Sequence, residues 1–545
     1  TSFHCYGALG PYYYYSRIGN DVGGGKALVR VNYKNYISLQ LINSYDNVFH
    51  NHLQGVLSFS IPFGGPLYSS CSKISSRISQ PVGRNEIIPI RIKKRIKKAR
   101  DPLSGSPYFF VFVDNTSASL GTFESPYPLL IQAQENSKEN QIIYIFPGDG
   151  TSTNMNHGIT LKNRQKLWGS GVSQLLKTTT GTVVIPPLSL SSPQISNIDI
   201  EGVGVTLAEN NELCGLTISQ TSSRAIWGYN PQTFLLSKCT LKENTTGDVG
   251  INTVFLQANT PLVATFDQNS FINNPNGAIF IELQTGAKYS SIVFTSNTAI
   301  NNTQSGGGIG ILNVNPNGTI EKCSVVVSEN RAIGNDGIVV NIQDLTGGGK
   351  GSFAFFNGLF SSNQFLDNGL GLNFSANAEN CSLLITNNTF YGNTTGGCNI
   401  AAGDTQISQL NLSIDQNEIS GSSDTGANAL NLSCVCEEFN CSITRNSLIN
   451  NSSSAILYFN GSSTIPAMNV TISKNTIQNN SNSGSNAAGG IAIDGFSSLK
   501  LSLDSNIFSN NQDGSAIGLY GNFTSSPKGN VIVELTNNTW IDGDS

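Results

Sequence analysis

A nine-residue pattern, apolar-x-x-Asn-x-apolar-x-x-polar, returns throughout the C-terminal half of this chain of 545 residues. One copy reads Phe266, Asn269, Phe271 and Asn274. The step between key positions ranges from 25 residues (363 to 388) to 33 residues (297 to 330). A drifting period of this kind is typical of a solenoid whose coils differ in their loops. The key asparagines are Asn269, Asn297, Asn330, Asn363, Asn388, Asn417, Asn446, Asn475, Asn506 and Asn538.

Each repeat contains three short apolar segments, for example residues 293–294, 299–300 and 308–312. Three strands per coil predict an all-β fold, a right-handed parallel β-helix, with its repeat array over residues 195–545. The key asparagine lies at the corner between two strands. We expect it to adopt a left-handed backbone there and its amide to bond the next asparagine, which forms a ladder. One earlier copy carries Cys239 at this position.

The charge is distributed unevenly along the chain. Residues 1–100 hold 14 Lys and Arg against 3 Asp and Glu, whereas the whole chain has a net charge of -5. Much of the excess lies in a basic run at residues 91–100, within a stretch, 66–124, that we interpret as a linker. Because no aromatic residues are interleaved with this run, we do not expect it to bind nucleic acid. The chain shows no signal peptide before Thr1 onward, so we expect a mature chain or a piece of a longer one.

The first 65 residues alternate with period two. In residues 27–33 Ala27, Val29 and Val31 share one face and Arg30 lies on the other, and residues 53–63 behave alike. Strands with one apolar and one polar face fit either a transmembrane barrel or an antiparallel sheet on a soluble core. In the barrel interpretation, Leu57, Phe59 and Ile61 face lipid, among the apolar residues of this segment.

Three stretches, residues 42–46, 55–65 and 80–88, resemble the closing strands and exit segment of the inverse autotransporter, the intimin- and invasin-like translocator. The resemblance implies that residues 1–65 are part of an outer-membrane barrel in a Gram-negative bacterium, which displays the rest at the cell surface. It departs from the family in showing about four strands where the family has twelve. Residues 125–194 are similar to the opening rungs of β-helix passengers behind such barrels.

Ten cysteines are scattered along the chain, and we predict that they are buried thiols. Cys434, Cys436 and Cys441 form a cluster, but no histidine follows His157 that could complete a metal site with them. We therefore expect no metal and no cofactor.

Three functions remain open for such a passenger. The first is adhesion or ligand binding, with a glycan or a host protein held by loops after the third strand. The second is a polysaccharide lyase or glycoside hydrolase, since pectate lyases and related pectin lyase-like enzymes are β-helices. The third is an inert surface stalk. The loops in question are residues 316–319, 346–350, 437–440, 462–466 and 524–528.

Catalysis on glycans needs paired carboxylates or an acidic calcium site. Asp267, Asp415 and Asp504 follow strands of non-adjacent repeats, so we expect no pair among them. The neighbours Glu437 and Glu438 are expected in a loop, and His157 has no acidic partner in view. We therefore assign no catalytic residue and predict a protein that is not an enzyme.

Overall fold

The structure, a computed structural model, divides into two compact units, Thr1–Lys98 and Ala99–Ser545. Both consist of β-strands, and one short helix, Leu130–Asn136, lies within the described part of the chain. No helix among the described residues is long and apolar enough to cross a membrane. The described residues are 3–14, 21–34, 36–47, 50–59, 61, 98–102, 104–117, 120–244, 252–303, 308–313, 318–344, 353–400, 406–423, 428–452, 455–461, 467–481, 488–494, 498–511, 515–520 and 530–541.

The first unit is an antiparallel sheet of four strands, each paired with the next along the chain. Leu39, for example, pairs with Val31 on one side and with Leu57 on the other. The sequence therefore forms consecutive hairpins here. The strands are Phe3–Tyr14, Val22–Tyr33, Ile37–Asp46 and His50–Phe59.

The apolar face of this antiparallel sheet is its exposed face. Leu57 and Phe59 retain 58% and 70% of their accessible surface. Polar groups lie on the opposite, more sheltered face, where Arg30 Nε donates a hydrogen bond to Gln40 Oε1 (3.0 Å). A sheet packed on a soluble core shows the reverse arrangement. Nothing in the unit covers the apolar face.

The second unit is a parallel β-solenoid, as the repeat predicts, and every coil contributes to three sheets. The pre-ladder sheet holds the strands that precede the key asparagine. Its strands are Phe110–Val113, Ile142–Ile145, Lys166–Gly169, Asn211–Cys214, Thr233–Ser237, Val263–Asp267, Tyr289–Thr295, Ile320–Ser328, Phe353–Ser361, Ala378–Thr386, Gln406–Asp415, the end of Asn428–Thr444, Ala467–Ser473, Leu499–Asp504 and Val531–Thr536.

The post-ladder sheet follows the key asparagine and is built from 13 parallel strands. They are Gln194–Asn197, Thr217–Thr221, Thr240–Lys242, Ser270–Ile272, Thr298–Ile300, Arg331–Ile333, Gln364–Leu366, Thr389–Tyr391, Glu418–Ser420, Ser447–Ile449, Thr476–Gln478, Ile507–Ser509 and Thr539–Ile541.

The third sheet completes each coil. Its strands are Ile159–Thr160, Val205–Leu207, Ile226–Tyr229, Val254–Ala258, Ile279–Leu283, Ile309–Asn313, Ile338–Asp344, Leu370–Ser375, Cys398–Ile400, the start of Asn428–Thr444, Ala455–Gly461, Ala488–Asp494 and Ser515–Tyr520. A separate hairpin, Gln174–Thr178 with Gly181–Ile185, packs Leu176 against Tyr144 and Trp168 outside the pre-ladder sheet.

The interior is filled by columns of apolar side chains, because strands in register place like positions above one another. Phe266 pairs with Phe294 in the next coil, and their rings stack at 4.8 Å with an interplanar angle of 16°. Both side chains are fully buried. One continuous core therefore runs from Val113 to Phe508.

Two segments differ from the sequence interpretation. Phe110–Val113 lies within residues 66–124, the expected linker, yet it pairs in parallel with Ile142–Ile145 and belongs to the solenoid. Glu437 and Glu438 lie inside the strand Asn428–Thr444, which passes from the third sheet to the pre-ladder sheet. The expectation of a loop at residues 437–440 is therefore wrong. The alternation of buried and exposed side chains continues through the two glutamates, so their charge reaches solvent from a strand.

The asparagine ladder is present in the solenoid. The backbone N–H and the side-chain Nδ2 of Asn269 both donate to Oδ1 of Asn297, at 3.0 and 2.9 Å. Asn269 Nδ2 also donates to the carbonyl oxygen of Leu236 in the preceding coil (2.9 Å). The same bonds recur coil after coil to Asn538, and the ladder side chains before Asn538 are all buried. Each amide thus satisfies backbone groups at a buried corner.

The left-handed residue of this corner is not the ladder asparagine, contrary to our expectation. It is the residue immediately before it, such as Gln268 (φ 56°), Glu329 (φ 58°) or Arg445 (φ 57°). The side chain at that position points outward at a two-residue turn, so its chemical type varies. Asparagine is required one position later, because its amide bonds along the axis.

A second ladder lies five residues after the first, at the corner between the post-ladder and third sheets. Asn274 Nδ2 donates to Asn302 Oδ1 (2.9 Å), and Asn302 Nδ2 donates to Asn335 Oδ1 (2.9 Å). The last, polar position of the nine-residue pattern is its signal. Ser422 replaces asparagine in one coil and interrupts the run. Its asparagines are Asn244, Asn274, Asn302, Asn335, Asn368, Asn393, Asn451, Asn480 and Asn511.

Replacing one ladder asparagine tests the energetic weight of these corners. Asn446→Leu removes the acceptor for the backbone and side-chain N–H groups of Asn417 and the donor to Ile414 (2.9 Å). We expect the free energy of unfolding to fall by about 1–3 kcal/mol, since buried polar groups lose their partners. Chemical denaturation measures the change. Asn411→Leu, at an exposed position of the pre-ladder sheet, is the matched control. Equal losses in the two variants would contradict the assigned role.

Candidate functional site

The aspartates that follow pre-ladder strands share one column but do not form a catalytic pair. Asp415 is separated from Asp504 by Thr444 and Ser473, hence by three strand spacings. Three spacings amount to about 14 Å. Inverting glycosidases hold their carboxyl groups about 6.5–9.5 Å apart, and retaining ones hold them closer. The expectation that these aspartates do not stack is confirmed.

Asp415 is instead held by a neighbouring cation. Arg445 Nε donates to Asp415 Oδ1 (2.9 Å), and Thr444 Oγ1 donates to the same oxygen (2.6 Å). The hydrogen bonds from Arg445 and Thr444 hold the pKa of Asp415 below its ordinary value of 3.8. A carboxyl group in this state is a poor proton donor near neutral pH.

His157 has an acidic partner, contrary to our expectation. Its Nδ1 lies 2.9 Å from Asp199 Oδ2, but the two side chains remain 61% and 53% exposed. Ser222, the nearest hydroxyl bonded to this segment, donates to the backbone carbonyl of Asp199 and does not contact His157 in any recorded bond. The histidine is oriented by a carboxylate, but no nucleophile is aligned with it. We interpret the pair as a surface ion pair of the opening coils.

A second acidic group lies on the outside of the pre-ladder sheet. Glu379, Glu437 and Glu438 line an open depression together with amide side chains. Glu438 accepts hydrogen bonds from Asn440 Nδ2 (3.0 Å) and Gln409 Nε2 (3.4 Å). No group of three or more histidine, cysteine, aspartate or glutamate side chains in the described residues is placed to hold a metal ion. The depression therefore lacks the clustered ligands of a calcium site.

The corners of the solenoid show which face can vary. Two residues always separate a pre-ladder strand from the post-ladder strand that follows, for example between Asp267 and Ser270 or between Thr444 and Ser447. The connections on either side of the third sheet have many lengths. Ile333 and Ile338 are four residues apart in the gap, whereas Gln478 and Ala488 enclose nine. Insertions thus concentrate on the two margins of the third sheet.

The loops predicted after the third strand fall on one of these margins. Residues 346–350, 462–466 and 524–528 lie outside the described residues, as do 316–317. The flanking strands nevertheless fix where these loops begin and end. Each leaves a third-sheet strand and enters a pre-ladder strand of the next coil face. Stacking therefore arranges their ends along one side of the solenoid.

The cysteines are buried, as predicted, wherever the solenoid describes them. Cys214, Cys239, Cys323, Cys381, Cys398, Cys436 and Cys441 are free thiols inside the coils. Cys239 occupies a ladder position, where its backbone N–H donates to Asn269 Oδ1 (3.0 Å). Burial raises the pKa of the Cys323 thiol to about 12. Cys71 and Cys434 lie outside the described residues.

The comparisons with known proteins leave these structural observations to stand alone. No protein-family model matches the chain, and no curated protein or solved structure matches it. The fold and its corners define a parallel β-solenoid with a preceding antiparallel sheet. The resemblance to the inverse autotransporter rests on the residues quoted above and on no matched family.

Thiol labelling in the folded state checks the burial of the cysteines. We expect Cys323 to resist a maleimide or iodoacetamide reagent from neutral pH to pH 10, because the reactive thiolate is suppressed and the side chain is enclosed. Cys5, which is exposed, should be labelled rapidly under the same conditions and serves as the internal control. Peptide mass spectrometry identifies the labelled sites. Rapid labelling of Cys323 before unfolding would refute its placement in the core.

Proposed function

We propose that this chain is a surface-displayed solenoid passenger that recognises a ligand without altering it chemically. The observation that carries the proposal is the restriction of variable connections to the margins of the third sheet. Loops on a rigid scaffold are where proteins concentrate specificity. An inert stalk has no need to place its variation on one face. Adhesion to a glycan or to a protein of a host cell is the role that such a face supports best.

The proposal that the passenger is not an enzyme draws support from its carboxylates. Asp415 is bonded to Arg445, and the acidic column has no adjacent members at Asp267, Asp415 and Asp504. The glutamates near Gln409 lie on an open surface and are not enclosed with a candidate acid and base. Glycan cleavage requires two such groups across one bond.

We also propose that the first unit belongs to an outer-membrane anchor. Its support is the exposed apolar face of the sheet, on which Leu39, Leu57 and Phe59 lie together while Arg30 and Gln40 occupy the other face. Lipid is a solvent that suits such an orientation, whereas water penalises about 25 cal/mol for each Å² of apolar surface. The described residues supply four strands of this anchor.

Membrane fractionation tests the anchor. The protein expressed in a Gram-negative host should be found in the outer-membrane fraction and should resist extraction by carbonate. Leu57→Asp with Phe59→Asp should lower its yield in that fraction, because charges on a lipid-facing strand cost about 2–4 kcal/mol at the membrane midplane. Ser58→Asp, on the opposite face of the same strand, is the control. Recovery of the unaltered protein in the soluble fraction would reject the anchor.

Loop exchange tests recognition. Residues 316–319, 346–350, 462–466 and 524–528 are replaced by Gly and Ser in the full chain displayed on bacteria, and attachment to cultured host cells is counted. We expect attachment to fall severalfold, since the margin of the third sheet loses its side chains. Gln364→Ser with Glu418→Ser, exposed on the post-ladder sheet, is the control. Unchanged attachment would reject the loop margin, and cleavage of a polysaccharide by the unaltered protein would reject the non-enzymatic role.

A further inference from the structure

One outward column of the third sheet changes from aromatic to amide side chains along the solenoid axis. Its members are paired strand to strand without interruption over eight coils, which spans about 34 Å at the usual strand spacing. None of the eight is charged. We name this set the aromatic–amide column, and it consists of Trp227, Phe255, Phe280, Gly310, Asn341, Asn373, Asn399 and Asn431.

The aromatic end is partly exposed and ordered by stacking. The rings of Phe255 and Phe280 are nearly parallel, with centroids 5.4 Å apart and an interplanar angle of 6°. The guanidinium carbon of Arg224 lies 4.4 Å from the centre of the Phe255 ring. Phe255 is therefore contacted by both Arg224 and Phe280. Trp227 continues the column in the preceding coil and is also half-buried.

A notch follows Phe280, because the next coil has Gly310 in the column. A Cβ at residue 310 would lie 3.4 Å from Phe280 Cδ2, and no side chain occupies this place. The next side chain is that of Asn341, two strand spacings or about 9.6 Å from Phe280. The notch is thus one coil wide, with an aromatic ring at one end and an amide at the other.

The amide end is a run of side chains bonded to one another on the solvent side of the sheet. Nδ2 of Asn373 donates to Asn341 Oδ1 (2.7 Å), Asn399 to Asn373 (2.8 Å) and Asn431 to Asn399 (2.7 Å). A carboxamide has two N–H donors and an oxygen with two lone pairs. Within the described residues, Asn399 keeps one N–H and one lone pair beyond those used in the run. The run holds these groups in fixed orientations.

We propose that the aromatic–amide column binds a linear, uncharged glycan lying along the solenoid axis. A sugar ring enters the notch and places its C–H face against Phe280, while successive hydroxyls exchange hydrogen bonds with Asn341, Asn373 and Asn399. The column offers one amide per strand spacing, which is close to the rise of one hexose in an extended glycan. The inference rests on the proposed recognition function and names its ligand class and place.

Other ligand classes fit the column less well. An extended peptide adds to a sheet through an unpaired edge, but the backbone groups of these strands are paired with the coils on both sides. An acidic polymer needs a row of cations, and the column has none. A neutral polyol needs ring faces and fixed donors and acceptors, which Phe280 and the asparagine run supply.

The full chain in detergent is tested against neutral cello-, malto- and chito-oligosaccharides and against acidic oligogalacturonate. We expect at least one neutral series to bind, with an affinity that rises with length. Asn373→Ala with Asn399→Ala should weaken binding about tenfold, and Gly310→Leu, which fills the notch, should weaken it at least as much. The matched control is Asn440→Ala with Asn469→Ala, which removes the same kind of amide stack (3.1 Å) from the pre-ladder sheet and should leave binding unchanged.

The outcomes separate this inference from the proposed function. Circular dichroism and a thermal melt establish that each variant is folded, and Gly310→Leu removes no existing contact. Binding restricted to the acidic oligosaccharide, or equal losses in the control and column variants, would overturn the glycan assignment. If no glycan binds although bacteria displaying the protein still attach to host cells, the column assignment fails and the recognition function stands. Loss of all attachment by the unaltered protein removes the recognition function itself.

Discussion

The two-residue corner between the pre-ladder and post-ladder sheets is the constraint on which the solenoid depends. A left-handed residue reverses the chain direction, and the asparagine after it covers the backbone groups that the turn leaves buried. Because each amide bonds the equivalent amide of the next coil, the corner also fixes the register between coils. The columns of Phe266 and Phe294 in the core, and the outward columns of all three sheets, are aligned by the same bonds.

The period and type of fold were predictable because the corner makes one chemical demand that recurs. Asn388 and Asn417 differ in almost every neighbour, yet both follow a strand residue by the same spacing and precede an apolar one. The second ladder was harder to separate from general polarity, since Ser422 breaks it and connections of unequal length follow it. The identity of the left-handed residue was missed because Gln268, Glu329 and Arg445 share no side-chain chemistry.

Contacts between distant coils were the part that sequence reasoning could not reach. His157 and Asp199 are 42 residues apart and meet because a coil returns the chain to its starting side. The strand Asn428–Thr444 was mistaken for a loop at Glu437 and Glu438, since two adjacent charges outweighed the alternation around them. The aromatic–amide column was likewise invisible, because loop insertions give Phe280, Gly310 and Asn341 no fixed spacing in the sequence.

The rigid corner also makes the solenoid a ruler. A coil of 25 residues between Asn363 and Asn388 and a coil of 33 residues between Asn330 and Asn363 advance the axis by the same single strand spacing, about 4.8 Å. Residues inserted at the third sheet widen the molecule and add nothing to its reach. The distance that the passenger can project from a surface therefore changes only in whole coils, and gain or loss of a complete repeat is the step by which that distance can evolve.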